Sequence, residues 1–342
     1  MITTNQFPHL RLKPIEISSS EVFPFFAEAA SDSPFYICKD GSLAVFFEMR
    51  ELYDAELVGD ILRILSFGST FQMYKLKTLQ NTRHFGCVKI YMNYSFLERK
   101  FLAGLGDSLK RIFSGYDSIV DDINSLTQDF INNMYELLSG RVVFVPVNRE
   151  ISELYKCIAD CYTKNGEFHI NMLPCADMSV ITTAPNRYSV MLSLNSVYET
   201  TEFDCADVLK DCEYLQVFSV CAPSKTESDS LDNYFTGTFN LFELLKMEKF
   251  NPHELTFSEK EKGFVYTHTS FLLSADSPQN AITLSKRFSD TLEDYGILLF
   301  QHTNSAAINY VSLFPGNAQR GYLYQIGYKN SLDSLFQGYF SL

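Results

Sequence analysis

Two groups of residues have types that could do chemistry. The first is Cys157, Cys161, His169 and Cys175, whose thiols and imidazole are zinc ligands by type. Cys157 and Cys161 stand one helical turn apart among Ile151, Leu154 and Ile158, so buried core thiols fit the same spacing. No CxxC pair occurs, and the separations match no paired CxxC or HxxxH arrangement. The second group is His268, on one strand-like run, and His302, just after the neighbouring one, which could meet in space for acid–base work. No carboxylate or nucleophile is tied to that pair by spacing, so partly exposed hydrogen-bonding histidines explain it as well.

Other chemistry is missing by motif. There is no GxxxxGK[ST], whose backbone N–H groups, lysine and hydroxyl would hold a nucleotide's phosphates, and no dinucleotide fingerprint, GxSxG or HExxH. The expectation is therefore no catalytic residues and no cofactor in this chain. A formal charge of −13 argues against a nucleic-acid or anionic-membrane surface, since phosphate binding rests on clustered Lys and Arg. Acidic residues crowd between Thr201 and Phe235, which suits a solvated face or a surface for a basic partner. The eight cysteines, in a chain of 342 residues without a secretory pattern, are expected to stay reduced, and a cytosolic setting is expected.

The elements that would position these residues alternate between strand and helix. Residues 35–49 alternate about Asp40-Gly41 and predict a hairpin. Leu57, Ile61 and Leu65 predict a helix stopped by Gly68, with strands at 70–77 and 86–93 completing a ββαββ unit. Three helical patterns follow. One carries Leu97, Phe101, Leu105, Leu109 and Ile112; the second runs from Ile119 to Leu137 and ends at Gly140; the third begins after Asn148 and ends near Gly166, with a short strand at 141–146 before it. Residues 167–200 are β-rich, 215–220 is a further strand, and 222–233 has the composition of a surface linker.

The last unit is the best defined. Ser277-Pro278 predicts an N-cap with proline at the first helical position, Gly296 the end of that helix, and 264–273 and 297–301 the strands of a βαβ crossover. A helix from Asn304 or Ser305 follows, carrying Ile308, Val311 and Leu313, and closes on Phe314-Pro315-Gly316-Asn317, a type II turn with glycine where positive φ is needed. The fold class is α+β, a mixed α/β chain of two subdomains of sheets packed with helices, 1–148 and 149–342, the second containing the βαβ unit.

The hairpin CKDGSLAVFFEM with its following helix, the central SFLERKF and the strand–helix–strand–helix ending SLFPGN resemble the N-terminal region of the conjugative type IV secretion ATPases. These are the TraC/TraG/TrbE class, with the VirB ATPase of similar role. The family closes this region on a Leu-Pro-Gly-Asn-like turn, from which Phe314 before Pro315 departs. The resemblance implies a cytoplasmic ATPase, hexameric when full length, at the inner-membrane base of a channel exporting DNA or protein. ATP and Mg would then be bound by a C-terminal P-loop domain absent from this chain. The part present would dock on inner-membrane channel subunits, on companion secretion ATPases and on its own copies, without binding nucleic acid directly. Two readings stand beside it: a stand-alone cytosolic enzyme using cysteine or histidine, and an adaptor with no ATPase attached.

Overall fold

A computed structural model describes residues 15–17, 25–28, 34–38, 42–50, 55–65, 68–90, 132–145, 163–164, 167–168, 170–174, 179–184, 187–197, 213–222, 264–302, 306–318 and 325–328. The strands in chain order are β1 (Ile15–Ile17), β2 (Phe25–Glu28), β3 (Phe35–Cys38), β4 (Leu43–Met49), β5 (Thr70–Lys77), β6 (Thr82–Ile90), β7 (Val142–Phe144), β8 (Thr163–Lys164) and β9 (Glu167–Phe168). They continue with β10 (Ile170–Pro174), β11 (Ser179–Ala184), β12 (Arg187–Val197), β13 (Tyr214–Cys221), β14 (Phe264–Ala275), β15 (Ile297–Gln301) and β16 (Gln325–Tyr328). The helices are α1 (Ala55–Ile64), α2 (132–138), α3 (Pro278–Glu293) and α4 (Ala306–Ser312). All described strands but β8 and β9 join one 14-stranded sheet, with every described pairing antiparallel, so the mixed α+β class is as expected.

The strand order β11-β12-β14-β13-β5-β6-β4-β3 reads the same from either end once β5 and β13 are taken as the centre. Each half repeats one plan. In the first, β3 and β4 lead through α1 to β5 and β6, and α2 returns the chain to β7 on β4. In the second, β11 and β12 lead to β13 and β14, and α3 returns the chain to β15 on β12. The match extends to single residues. Val145 donates its N–H to Phe46 at 3.0 Å, and His302 donates its N–H to Met191 at 3.2 Å. Glu48 faces Val143 across β4–β7 as Ser193 faces Phe300 across β12–β15. Carried through the ladders, the correspondence takes Phe85 to Ser270 and Tyr74 to Val217, and Tyr74 and Val217 are themselves partners across the seam. A pseudo-twofold axis therefore passes through that pair.

Side chains alternate along each strand, so the sheet presents two faces, and both are covered. On one face α1 and α2 pack Leu57, Ile61, Leu65, Met134 and Leu138 against Val45, Phe47, Phe71 and Val88. Beside them α3 packs Ala281, Phe288 and Leu292 against Val190, Leu192, Phe271 and Leu273. The other face is spanned by α4 and the turn after it: Ala306, Tyr310, Leu313 and Phe314 lie on Phe46, Tyr74, Phe85 and Cys87 of one half and on Met191, Leu215, Val217 and Leu272 of the other. That cluster crosses the seam without a break, which is why a single helix can couple both halves.

Several local expectations hold. Ser277 adopts an extended backbone and its hydroxyl accepts from the Asn280 N–H at 3.2 Å, an N-cap that contributes about 1 kcal/mol. Gly140 (φ 79°) and Gly296 (φ 77°) end the two returning helices in the left-handed region. β14 and β15 are parallel, both being antiparallel to β12, so the crossover through α3 exists with β12 inserted between its strands. β6 begins at Thr82 rather than 86: its polar opening, Thr82-Arg83-His84, reads as a turn, yet it pairs with Leu76 and Lys77 after a tight loop held by Thr78 and Asn81. The helical patterns at 97–112 and after Asn148, and the 223–233 part of the linker, lie outside the described residues.

Candidate functional site

His268 and His302 do meet, and a serine lies between them. β12 supplies Ser193, β14 supplies His268 and Ser270, the residue after β15 is His302, and α4 supplies Asn309. Ser193 Oγ lies 2.7 Å from His302 Nε2, 2.9 Å from His268 Nε2 and 3.1 Å from Ser270 Oγ. Ser270 Oγ is 3.3 Å from His268 Nε2, and Asn309 Nδ2 is 3.0 Å from His302 Nδ1. A second serine pair, Ser189 and Ser274, continues the polar row at 2.7 Å.

Donor and acceptor roles follow from Asn309. Its Nδ2 can only donate, so His302 Nδ1 accepts and the ring carries its proton on Nε2, which donates to Ser193 Oγ. The Ser193 hydroxyl is left to donate to His268 Nε2 or to Ser270. His302 is thus neutral by its bonding. Burial lowers the basicity of His302 to a pKa of about 4, and burial reinforced by His302 does the same for His268.

A serine donating to a neutral histidine is the core of a hydrolase triad, but this one is sealed. Ser193, Ser270 and His302 have no exposed surface, and His268 and Asn309 are 5% and 1% exposed. His302 donates to Ser193 rather than accepting from it, so it is not placed as the serine's base, and its other nitrogen meets the Asn309 amide where a triad has a carboxylate. What the arrangement does is satisfy buried polar groups from four elements at once, joining α4 to β12, β14 and the end of β15.

The turn Phe314-Pro315-Gly316-Asn317 sits at the other end of α4, and Gly316 has the positive φ expected of it, 78°. Phe314 is fully buried, its ring edge-on to Tyr310 at 5.2 Å. Gln72, a buried residue of β5, clamps the turn: its Nε2 donates to the Ser312 carbonyl at 2.9 Å, and its Oε1 accepts from the Gly316 N–H at 2.9 Å. Cys87 lies beneath the same turn in a bond with the Gly316 backbone, and burial together with nearby Cys38 pushes its thiol well above the ordinary range. Thiolate chemistry at Cys87 is therefore disfavoured.

The candidate ligands Cys157, Cys161, His169 and Cys175 all lie outside the described residues, and among the described residues no group of three metal-ligating side chains forms. Most of the acidic stretch 201–235 also lies outside them. Sequence reasoning brought the two histidines together but missed Ser193, Asn309 and Gln72. Asn309 sits within the apolar helix pattern and Gln72 within an alternating strand, where a polar residue reads as solvent-facing. No described helix is long and apolar enough to cross a membrane. No family model matches the chain, and no curated protein matches it.

Proposed function

We propose that this chain is a docking and oligomerisation region of a conjugative type IV secretion ATPase at the cytoplasmic face of the inner membrane. It supplies binding surface while ATP hydrolysis belongs to a separate P-loop domain. The sequence resemblance in the early hairpin, the SFLERKF segment and the SLFPGN ending supports the family. The observation that carries the non-catalytic role is the complete burial of Ser193 and His302 under α4, which leaves a Ser–His pair with no route to substrate. The docked turn supports it further, because Gln72 and Phe314 use the family-like motif as packing.

The test is a capture experiment with the full chain as bait and detergent-solubilised inner membranes from cells carrying a conjugative system. Retention of inner-membrane channel subunits or of a companion secretion ATPase is the expected result. Failure to retain either, or a hydrolytic activity of the purified chain that thiol alkylation abolishes, overturns the reading in favour of a stand-alone enzyme.

A further inference from the structure

We infer that the outer edge of β15, Ile297–Gln301, joins the same edge of a second copy of this chain, so that the sheet runs on antiparallel from one copy into the other. The inference rests on the oligomerising part of the function proposed above, and it names the strand and the occupant.

The register of β15 fixes which of its backbone groups face outward. His302 donates its N–H to the Met191 carbonyl, so His302 and, two residues back, Phe300 turn their backbone groups toward β12. The N–H and C=O groups of Leu299 and Gln301 therefore point away from β12, and among the described residues β15 pairs with no other strand. Natural edge strands are blunted by a charge, a proline or a covering element. β15 reads Ile-Leu-Leu-Phe-Gln, with neither charge nor proline. Phe300 is 43% exposed, on the same face as its partner Ser193, and Leu298 on that face is half-buried.

A second copy fits this strand because the strand is complementary to itself. Turned about a twofold axis perpendicular to the sheet at Leu299, two β15 strands set Leu299 against Leu299 and Ile297 against Gln301 as hydrogen-bonded pairs. Phe300 of each copy then meets Leu298 of the other in a non-hydrogen-bonded pair, where side chains approach most closely. α3 packs on Ile297 and Leu299 from the opposite face, so it runs antiparallel to its counterpart. Its exposed charges pass from Lys286 and Arg287 to Asp290, Glu293 and Asp294, and antiparallel neighbours turn basic segments toward acidic ones. The chain already contains one junction of this form. At the seam of β5 and β13, two halves built on one plan meet antiparallel about the axis through Tyr74 and Val217.

The equivalent edge of the first half fits a partner less well. β7 has three residues and turns only Val142 and Phe144 outward, and Arg141 before it is held by Asp60 and Glu56. Val143 is exposed there as Phe300 is on β15, while Tyr135 stacks on Phe144 at 5.5 Å beside the same edge. Five residues against five make a small interface, so the dimer is weak and its population follows concentration.

Sedimentation velocity of the full chain over about a hundredfold range of concentration should show a monomer–dimer equilibrium. Hydrogen exchange at the two ends of that range locates the junction: the peptide covering 297–301 should gain protection at least about threefold at high concentration, while 142–144 stays constant. Phe300→Lys, at an exposed position, should leave the urea midpoint unchanged and weaken association at least about tenfold. Adding Leu298→Glu to that variant sets opposite charges across the axis and should restore association. A monomer at every concentration, association that Phe300→Lys leaves intact, protection gained at β7 instead of β15, or no restoration in the double variant would overturn the inference. Protection of 297–301 by a captured channel subunit, with the chain itself monomeric, would overturn the second copy as occupant while leaving the docking role standing. A β15 dimer that captures no channel subunit or companion ATPase would do the reverse.

Discussion

Replacing Gln72 by leucine should destabilise the protein by about 2–6 kcal/mol. The side chain has no exposed surface and pairs two backbone groups of the α4 turn, accepting from the Gly316 N–H and donating to the Ser312 carbonyl. Leucine matches the volume approximately, so little cavity arises and the cost is that of leaving a buried donor and a buried acceptor unpaired, about 1–3 kcal/mol each. Gln72→Glu separates the two halves of that cost. A carboxylate still accepts from Gly316 but sets a negative charge against the Ser312 carbonyl, so it should be at least as harmful at neutral pH and should recover partly in acid as the carboxyl becomes a donor. Urea denaturation followed by far-UV circular dichroism gives both numbers, with the m value checking that the denatured state is unchanged. A Gln72→Leu loss below about 0.5 kcal/mol would refute the reasoning, since it would mean that the turn finds other partners without strain.

Three further outcomes follow from the same geometry. His84, His268 and His302 all have folded pKa values near 4 against 6.5 unfolded, so the unfolded chain binds more protons between those limits and stability should fall as pH drops through that window. The loss should reach about 2 kcal/mol per independent histidine at pH 5, level off only below about pH 3 and be absent above about pH 7; pairwise comparison of urea midpoints for the wild type and His302→Asn checks it. Gly86→Ala places a Cβ 2.4 Å from the fully buried Phe47 ring and should cost about 1–3 kcal/mol, measured as a lower midpoint. Gly140→Ala meets no atom within 4 Å, so only its φ of 79° opposes it, and a cost of about 1 kcal/mol by the same assay is expected.

The second half of the molecule was legible where its signals were local. Ser277-Pro278 and Gly296 are chemical punctuation, and they bounded α3 and the crossover because caps act within a few residues. The hairpin around Asp40-Gly41 and the helix over Leu57–Leu65 were readable for the same reason. The seam was not. β5 and β13 lie more than 130 residues apart, and nothing in either strand names the other. The missed polar residues share one cause: both faces of this sheet are covered, so the rule that places a strand's polar positions in water fails for Gln72, Ser193, Ser270 and His268. The Asn309 side chain was hidden by its neighbours. Reading α4 from its apolar residues left no reason to ask what a buried amide would bind.

The Gln72 clamp also bears on how the two halves come into alignment. Across β5 and β13 most inward residues are apolar on both faces, so sliding one strand past the other by two residues, about 7 Å, would return every side chain to its own face. Burial alone scarcely penalises such a slip. Gln72 does, because it stands 240 residues before Ser312 and can reach that carbonyl and the Gly316 N–H only in the native alignment. The strand pairing at the centre of the molecule is thus matched to a turn near the opposite end of the chain, and the alignment that α4 and its turn accept is the native one.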